Sequence, residues 1–136
     1  YVDAGTIPAY SLAGYRERSV FIRHSLHVPP PREAVPDAME ALFVALAGEE
    51  HPGVRAVLGH FVFVFIHPYQ DGNGRLGRFL MNAMLASGGY GWTVIRVSRR
   101  AEYMAALEEA STRGGIAAFC RFVAQEMKVD WRSNED

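Results

Sequence analysis

Residues 67–78 read His67-Pro68-Tyr69-Gln70-Asp71-Gly72-Asn73-Gly74-Arg75-Leu76-Gly77-Arg78, with apolar segments on either side. Pro68 disfavours helix at the residue before it, so an upstream helix must end at His67. From Arg75 onward the pattern is helical again, and the stretch therefore reads as a short loop joining two central helices. Its residue types suit phosphate chemistry. Gly72 and Gly74 allow successive backbone N–H groups to turn inward as an anion-binding nest. The start of the following helix adds orphan N–H donors to the same place. Arg75 and Arg78, three apart, share a helical face and offer guanidinium forks for bidentate grip on phosphate oxygens. Asp71 is a hard oxygen ligand of the kind Mg²⁺ takes when it also holds phosphates. His67 has the unperturbed pKa suited to general-base work near neutral pH.

Each of these residues also has a plainer reading. His67 could simply cap the helix before it. Asp71 could form an Asx turn ahead of glycine. Asn73 could be there for the left-handed conformation. Arg75 and Arg78 could belong to a solvated helix face. Against that last reading, cations in a first helical turn oppose the macrodipole by about 0.3–1 kcal/mol each, which a nearby anion would explain.

Working outward, Val54, Val57, Leu58, Phe61, Val62 and Phe65 form a nearly all-round apolar helix, expected to be the buried centre. Pro52 sits where a first turn tolerates it. Before it, Val35, Met39, Leu42, Phe43 and Leu46 repeat with helical spacing from Glu33 to a stop at Gly48. Val20–Ile22 and Ser25–Val28 read as two short extended pieces of a small β-hairpin ending at Pro29-Pro30-Pro31. After the loop, a helix over about 75–87 is expected to place Leu76, Phe79, Leu80, Ala83 and Met84 inward. Ser98 is the expected N-cap of a helix carrying Tyr103, Ala106, Leu107 and Ala110, closed by Gly114-Gly115. Ile116, Phe119, Val123 and Met127 mark the last helix, and Cys120 between Phe119 and Phe122 reads as buried and inert. Residues 1–14 carry few helix signals, and residues 128–136 read as a polar tail in which Trp131 could dock.

At 136 residues the chain is expected to be one domain, residues 1–136, able to bury roughly two-thirds of its unfolded surface. Its net charge of −1 forces no basic face for nucleic acid. The single cysteine excludes an internal disulfide and fits a reducing, cytoplasmic setting. Lys128 is the only lysine among many arginines, which suggests a GC-rich bacterial genome. The apolar run Phe61–Ile66 is far too short to span a bilayer, and no signal peptide is visible. His24 and His27 invite a metal pair, but no third ligand lies nearby. His51 and His60 read as structural.

The 67–78 stretch resembles the signature of the Fic family, HPF-x-[D/E]-GNGR-x-x-R, departing from it at Tyr69, where the family usually has Phe. The resemblance extends more loosely over about residues 10–127. It implies an all-α bundle of about five to seven helices with a small β-hairpin flap. It also implies transfer of AMP from ATP to a Tyr, Thr or Ser hydroxyl of a target protein, with pyrophosphate released. In that scheme His67 deprotonates the attacking hydroxyl and Asp71 holds Mg²⁺. Gly72, Asn73 and Gly74 cradle the phosphates, with Asn73 on the α-phosphate. Arg75 is assigned to the β-phosphate and Arg78 to the γ-phosphate, while Tyr103 borders the adenine. The flap at about Phe21–Pro30 would align the target segment by strand addition. Ser111 stands where many relatives carry Asn near the base, which leaves base selectivity open.

Related proteins are often silenced by a helix bearing [S/T]-x-x-x-E-[G/N]. No Glu in this chain is followed by Gly or Asn, and Ser98…Glu102 is followed by Tyr103. An inhibitor would then come from an upstream segment or from a partner in trans, unless the enzyme is constitutively open. Competing functions keep the fold but change the chemistry, as another nucleotidyl or phosphoryl transferase or a de-AMPylase. A nucleotide-binding regulatory module without turnover is the further alternative. The resemblance places the protein in a bacterial cytoplasm, or in a host cell if it is a secreted effector.

Overall fold

The computed structural model describes residues 14–129. The expectations for residues 1–13 and for the tail from Asp130, Trp131 included, lie outside the described residues. Five helices follow in order: α1 (Val35–Gly48), α2 (Pro52–Ile66), α3 (Asn73–Ser87), α4 (Arg100–Arg113) and α5 (Ala117–Met127). Short 3₁₀ turns precede α1 at Arg32–Ala34 and α4 at Val97–Arg99. Among the described residues no helix is long and apolar enough to cross a membrane.

The helix boundaries have local causes. His51 caps α2, its Nδ1 accepting from the Gly53 and Val54 N–H groups at 3.1 and 3.3 Å. Pro52 then opens the helix, where its missing donor costs nothing. Gly114, at φ 75°, closes α4 in the left-handed conformation that glycine adopts without strain. Ser98 does not cap α4. It lies within the 3₁₀ turn, and Arg99 occupies the cap position.

α2 is the centre, as its composition predicts, and it is covered from two directions. Phe63 and Ile66 pack with Val35, Met39, Leu42 and Leu46 of α1. Ala56 joins Met81 and Leu85 of α3, Tyr103 and Ala106 of α4, and Phe119, Phe122 and Val123 of α5. Met84 touches both clusters and bridges them. The cover is incomplete, and Val54 and Leu58 remain about two-fifths exposed.

The α2–α3 contact explains where α3 departs from its apolar pattern. A Cβ on Gly77 would sit 2.8 Å from His60 Nδ1 and 2.9 Å from Val64 Cγ1. The helices meet at this glycine, and that contact sets the rotation of α3. Its buried residues are Asn73, Gly77, Met81, Asn82 and Leu85. Leu76, Phe79 and Ala83, expected inside, face outward, with Phe79 62% exposed and set edge-on against Trp92. Asn82 can be buried because it bonds three backbone groups, the Arg78 carbonyl and both the N–H and the carbonyl of Thr93. Phe43 and Cys120 are likewise exposed, contrary to the pattern reading.

The all-α expectation holds, but the β-hairpin does not form. Among the described residues there is no strand. The segment over 20–31 is a loop with one tight turn, the Ser25 N–H reaching the Ile22 carbonyl at 3.2 Å while His24 takes φ 61°. Its polar groups go to helices and not to a facing strand. Glu108 of α4 accepts from the Ser25 hydroxyl and from the Leu26 N–H. The His27 ring packs on Phe65 and bonds the Phe65 carbonyl at 2.9 Å.

Candidate active site

The loop between α2 and α3 is held from inside and from below. His67 ends α2 at φ 53°, with its N–H still bonded to the Phe63 carbonyl at 3.0 Å. A non-glycine residue in that region carries roughly 1–2 kcal/mol of strain, which its surroundings must offset. Pro68 blocks any continuation of the helix. The Asn73 side chain closes the loop on itself, accepting from the Tyr69 N–H and donating to the Tyr69 carbonyl, both at 2.8 Å. The Tyr69 ring packs against Tyr15 and Phe63, the packing role read from its sequence position. Gly72 supplies the left-handed residue at φ 81°, and α3 starts immediately after it, two residues earlier than its sequence pattern indicates. The Leu76 N–H is bonded to the Gly72 carbonyl, so the N–H groups of Asn73 and Gly74 at the start of α3 have no helical acceptor.

Beside this loop lies a cavity of about 620 Å³, within the ordinary range for small-molecule sites. His67, Gly74 and Arg78 form one wall, and Arg100, Tyr103, Met104, Glu108 and Ser111 of α4 form another. Ile22–Ser25 and His27 from the loop before α1 close the third side. A Cβ on Gly74 would meet only Arg78 Nη1, at 3.4 Å, an ordinary contact, so Gly74 lies directly beside the Arg78 guanidinium.

Burial is the main reason the His67 imidazole titrates below its ordinary value, and the nearby charges of Arg16 and His27 push the same way. The Val64 backbone and Asp71 oppose them. Nδ1 is buried and lies toward Val64 without completing a hydrogen bond. Placing the one proton of a neutral ring on Nδ1 leaves Nε2 as the basic atom. A second buried imidazole, His60, is lowered further, to about 4, mainly by burial. Its Nε2 lies 2.7 Å from the Tyr103 hydroxyl, which the Arg78 guanidinium also approaches. Arg78 is thereby held at the cavity by a chain of polar groups reaching into the core.

The residues singled out by sequence divide into two groups. His67, Gly74, Arg78 and Tyr103 meet at the cavity. Tyr103 is at once core and cavity wall, being 5% exposed. Asn73 is committed to the Tyr69 backbone and shapes the loop; the left-handed residue is Gly72, not Asn73. Asp71 and Arg75 stand on the exposed side of the loop, 3.9 Å apart and four residues apart in sequence. Among the described residues no three His, Cys, Asp or Glu side chains could hold a metal ion between them. A single exposed carboxylate beside a helix N-terminus does fit Mg²⁺ carried in with a polyphosphate, since that ion keeps waters and shares its shell with phosphate oxygens. His24 and His27 do not form a pair, because the His27 ring is occupied with Phe65.

Arg16, Glu108 and Glu126 were not picked out by motif. Arg16 and Glu108 show no local signal, as their partners are distant in sequence. Glu126 does carry one, since it continues the buried spacing of Phe119, Phe122 and Val123 on α5.

An imidazole whose titration burial lowers, a guanidinium and a helix N-terminus meet around one cavity of an all-helical domain. The sequence model of the Fic/DOC family matches residues 5–85. A protein adenylyltransferase Fic from Nematostella vectensis is 41% identical over 82% of this chain and 26% of its own length. A probable protein adenylyltransferase from Aquifex aeolicus is 33% identical over 88% of this chain and 37% of its own. Among solved structures, Fic-1 from C. elegans superposes with a TM-score of 0.72 at 30% identity, covering 83% of this chain and 33% of that one. A Fic domain containing signaling protein from Bacteroides thetaiotaomicron gives 0.72 at 26% identity, covering 83% of this chain and 50% of that one. The chain belongs to the Fic/DOC family. It spans between a quarter and two-fifths of the length of these two curated relatives.

Proposed function

We propose that this domain transfers AMP from ATP to a hydroxyl side chain of a target protein. The hydroxyl oxygen attacks the α-phosphorus, the bond from that phosphorus to the bridging oxygen breaks, and pyrophosphate leaves. The hydroxyl proton passes to Nε2 of His67. The observation that carries this reading is the position of the His67 ring in the same cavity as Gly74 and Arg78 at the start of α3, where burial holds its titration below the ordinary value. The relatives at 41% and 33% identity carry the name protein adenylyltransferase, which supports it.

The Asn73 and Gly74 N–H groups at the start of α3 take phosphate oxygens, and Arg78 and Arg75 neutralise the leaving pyrophosphate. Asp71 would hold Mg²⁺, which when bound screens the triphosphate charge. Tyr103 walls the nucleotide cavity, with Ser111 nearby. The loop over 20–31 serves as the docking flap, and its exposed Phe21, Leu26 and Val28 give a target segment apolar surface to cover. An inhibitory carboxylate supplied in trans would compete with the γ-phosphate for Arg78. The single cysteine and arginine-rich composition support a bacterial cytoplasmic setting.

Incubation with a candidate target, Mg²⁺ and ATP labelled at the α- or the γ-phosphorus tests the reaction. Label transferred from the α-position, with pyrophosphate released, is the expected result. Label transferred from the γ-position would establish phosphorylation instead. Nucleotide binding without transfer to any protein would favour a regulatory module.

A further inference from the structure

Arg16 is 3% exposed, and among the described residues no carboxylate lies within ion-pairing distance of it. Among the described residues its guanidinium donates to carbonyl oxygens alone. Nε donates to the His67 carbonyl at 2.7 Å, and Nη2 donates to the carbonyls of Ile66, at 3.3 Å, and Pro30. Nη1 reaches the Arg18 carbonyl at 3.2 Å, and the backbone N–H of Arg16 bonds the Pro68 carbonyl at 2.8 Å. One side chain therefore collects the last carbonyl of α2, the strained residue after it, and the end of the loop that closes the cavity.

We propose that Arg16 is the positioning residue of the general base, its planar fork fixing the His67 backbone and the Pro30 end of the docking loop as one unit. This rests on the reading of His67 as the base. The argument is geometric. The left-handed His67 needs its carbonyl anchored, and a fork with several fixed donors can hold several carbonyls where an ammonium cannot match their directions. Arg16 does not line the cavity, so its effect must pass through His67 and the loop. Its charge, unbalanced by any carboxylate in contact, also disfavours a second proton on the His67 ring, as does His27, while Asp71 favours one. Arg78 of α3 and Arg100 and Glu108 of α4 also face the cavity, and Glu108 is bonded to the same loop through Ser25 and Leu26.

The test uses Arg16→Lys and Arg16→Gln, with transfer kinetics and an NMR titration of the His67 ring. Misplacement of a catalytic group by about 1 Å costs about 10²-fold, so both variants are expected to lose about 10²-fold in kcat. KM for ATP should hold and KM for the target should rise. Arg16→Gln moves the His67 titration and the acid limb of the pH–rate profile to higher pH. Arg16→Lys, which keeps the charge but not the fork, loses kcat with little movement of either. Wild-type kcat per folded molecule, with an unmoved His67 titration in Arg16→Gln, would overturn the proposal. Should neither variant fold, hydrogen exchange at Arg16 Nε–H in the wild-type protein decides. Strong protection is expected there, and exchange as fast as in an exposed arginine overturns it. The NMR readouts need no turnover, so absent AMP transfer with the expected Arg16→Gln titration shift would reject the reaction and keep the coupling.

Discussion

Arg16, beneath the α2–α3 loop, and Glu126, beneath the start of α4, are both sealed from solvent, at 3% and 2% exposure. Glu126 is met by two guanidinium groups, Arg96 and Arg99, each at 2.7 Å, and Arg99 also reaches Glu102 and Gln125. Its charge is cancelled within its own surroundings, and the Arg99 guanidinium lies over the Phe122 ring. Among the described residues the Arg16 guanidinium donates to neutral carbonyls alone, and the Glu33 charge acts on it without an ion pair. A cancelled buried charge braces helices and has little reach beyond its partners. An uncancelled one biases what stands next to it, and here that is His67. On the proposal made for Arg16, the same chemistry braces helices in one region and positions a base in the other.

The sharpest way to break this division is at its two most committed residues. His67→Ala should lower transfer by about 10²–10⁴-fold, the usual contribution of a general base. ATP binding should persist, and the urea midpoint should hardly move, because the ring closes no hydrogen bond in the core. Transfer at the wild-type rate would remove His67 from the mechanism. Glu126→Gln should do the reverse, leaving kcat of the folded protein intact while unfolding becomes easier. The paired guanidinium groups, Arg96 first, hold the Glu126 carboxyl down at about 2, against about 4.3 when unfolded, a difference worth on the order of 3 kcal/mol. Because the folded value is the depressed one, this stability is present above about pH 4.3 and is lost as pH falls toward 2. Wild-type protein should show that acid loss in urea titrations, and Glu126→Gln should show a shallower one. Equal slopes would mean that the paired carboxylate does not brace α5.

Gly77→Ala sharpens the comparison between the helices. The added methyl meets His60 and Val64 at contacts no relaxed side chain makes. Overpacking costs about 1–3 kcal/mol, while replacing glycine within a helix returns at most about 1 kcal/mol. Crowding should win, with a net loss of about 1 kcal/mol read as a drop of a few degrees in melting temperature. Val64 also lines the cavity, so weaker ATP binding should accompany it.

Legibility in the sequence followed how local the cause was. The loop was readable because Pro68 and Gly72 set the backbone within one turn of their own positions. Helix ends at Pro52, His67 and Gly114 were readable for the same reason. The rotation of α3 was misread because its apolar residues Leu76 and Phe79 face outward, while Gly77 and Asn82 are inside. Glycine looks neutral in a hydrophobic pattern, yet it is where two backbones approach. The hairpin was misread because Ser25 and Leu26 bond to Glu108, more than eighty positions away. The bond from Arg16 to His67 spans 51 positions, and those from Glu126 to Arg96 span 30. No window of local periodicity contains such pairs.

Cys120 gives the smallest and most selective prediction. Phe119 and Phe122 on either side of it are buried, and reading Cys120 as sharing their face placed the thiol inside with them. A helix turns about 100° per residue, so Phe119, Phe122 and Val123 share a face that Cys120 does not. The thiol is exposed on the outer side of α5 and does not line the cavity. A neutral maleimide should therefore label it in native protein at a rate within a few-fold of that in urea. Transfer activity and melting temperature should stay unchanged, as expected for a surface change within about ±0.5 kcal/mol. Strong protection of the thiol in the native state would mean that another surface covers the outer face of α5.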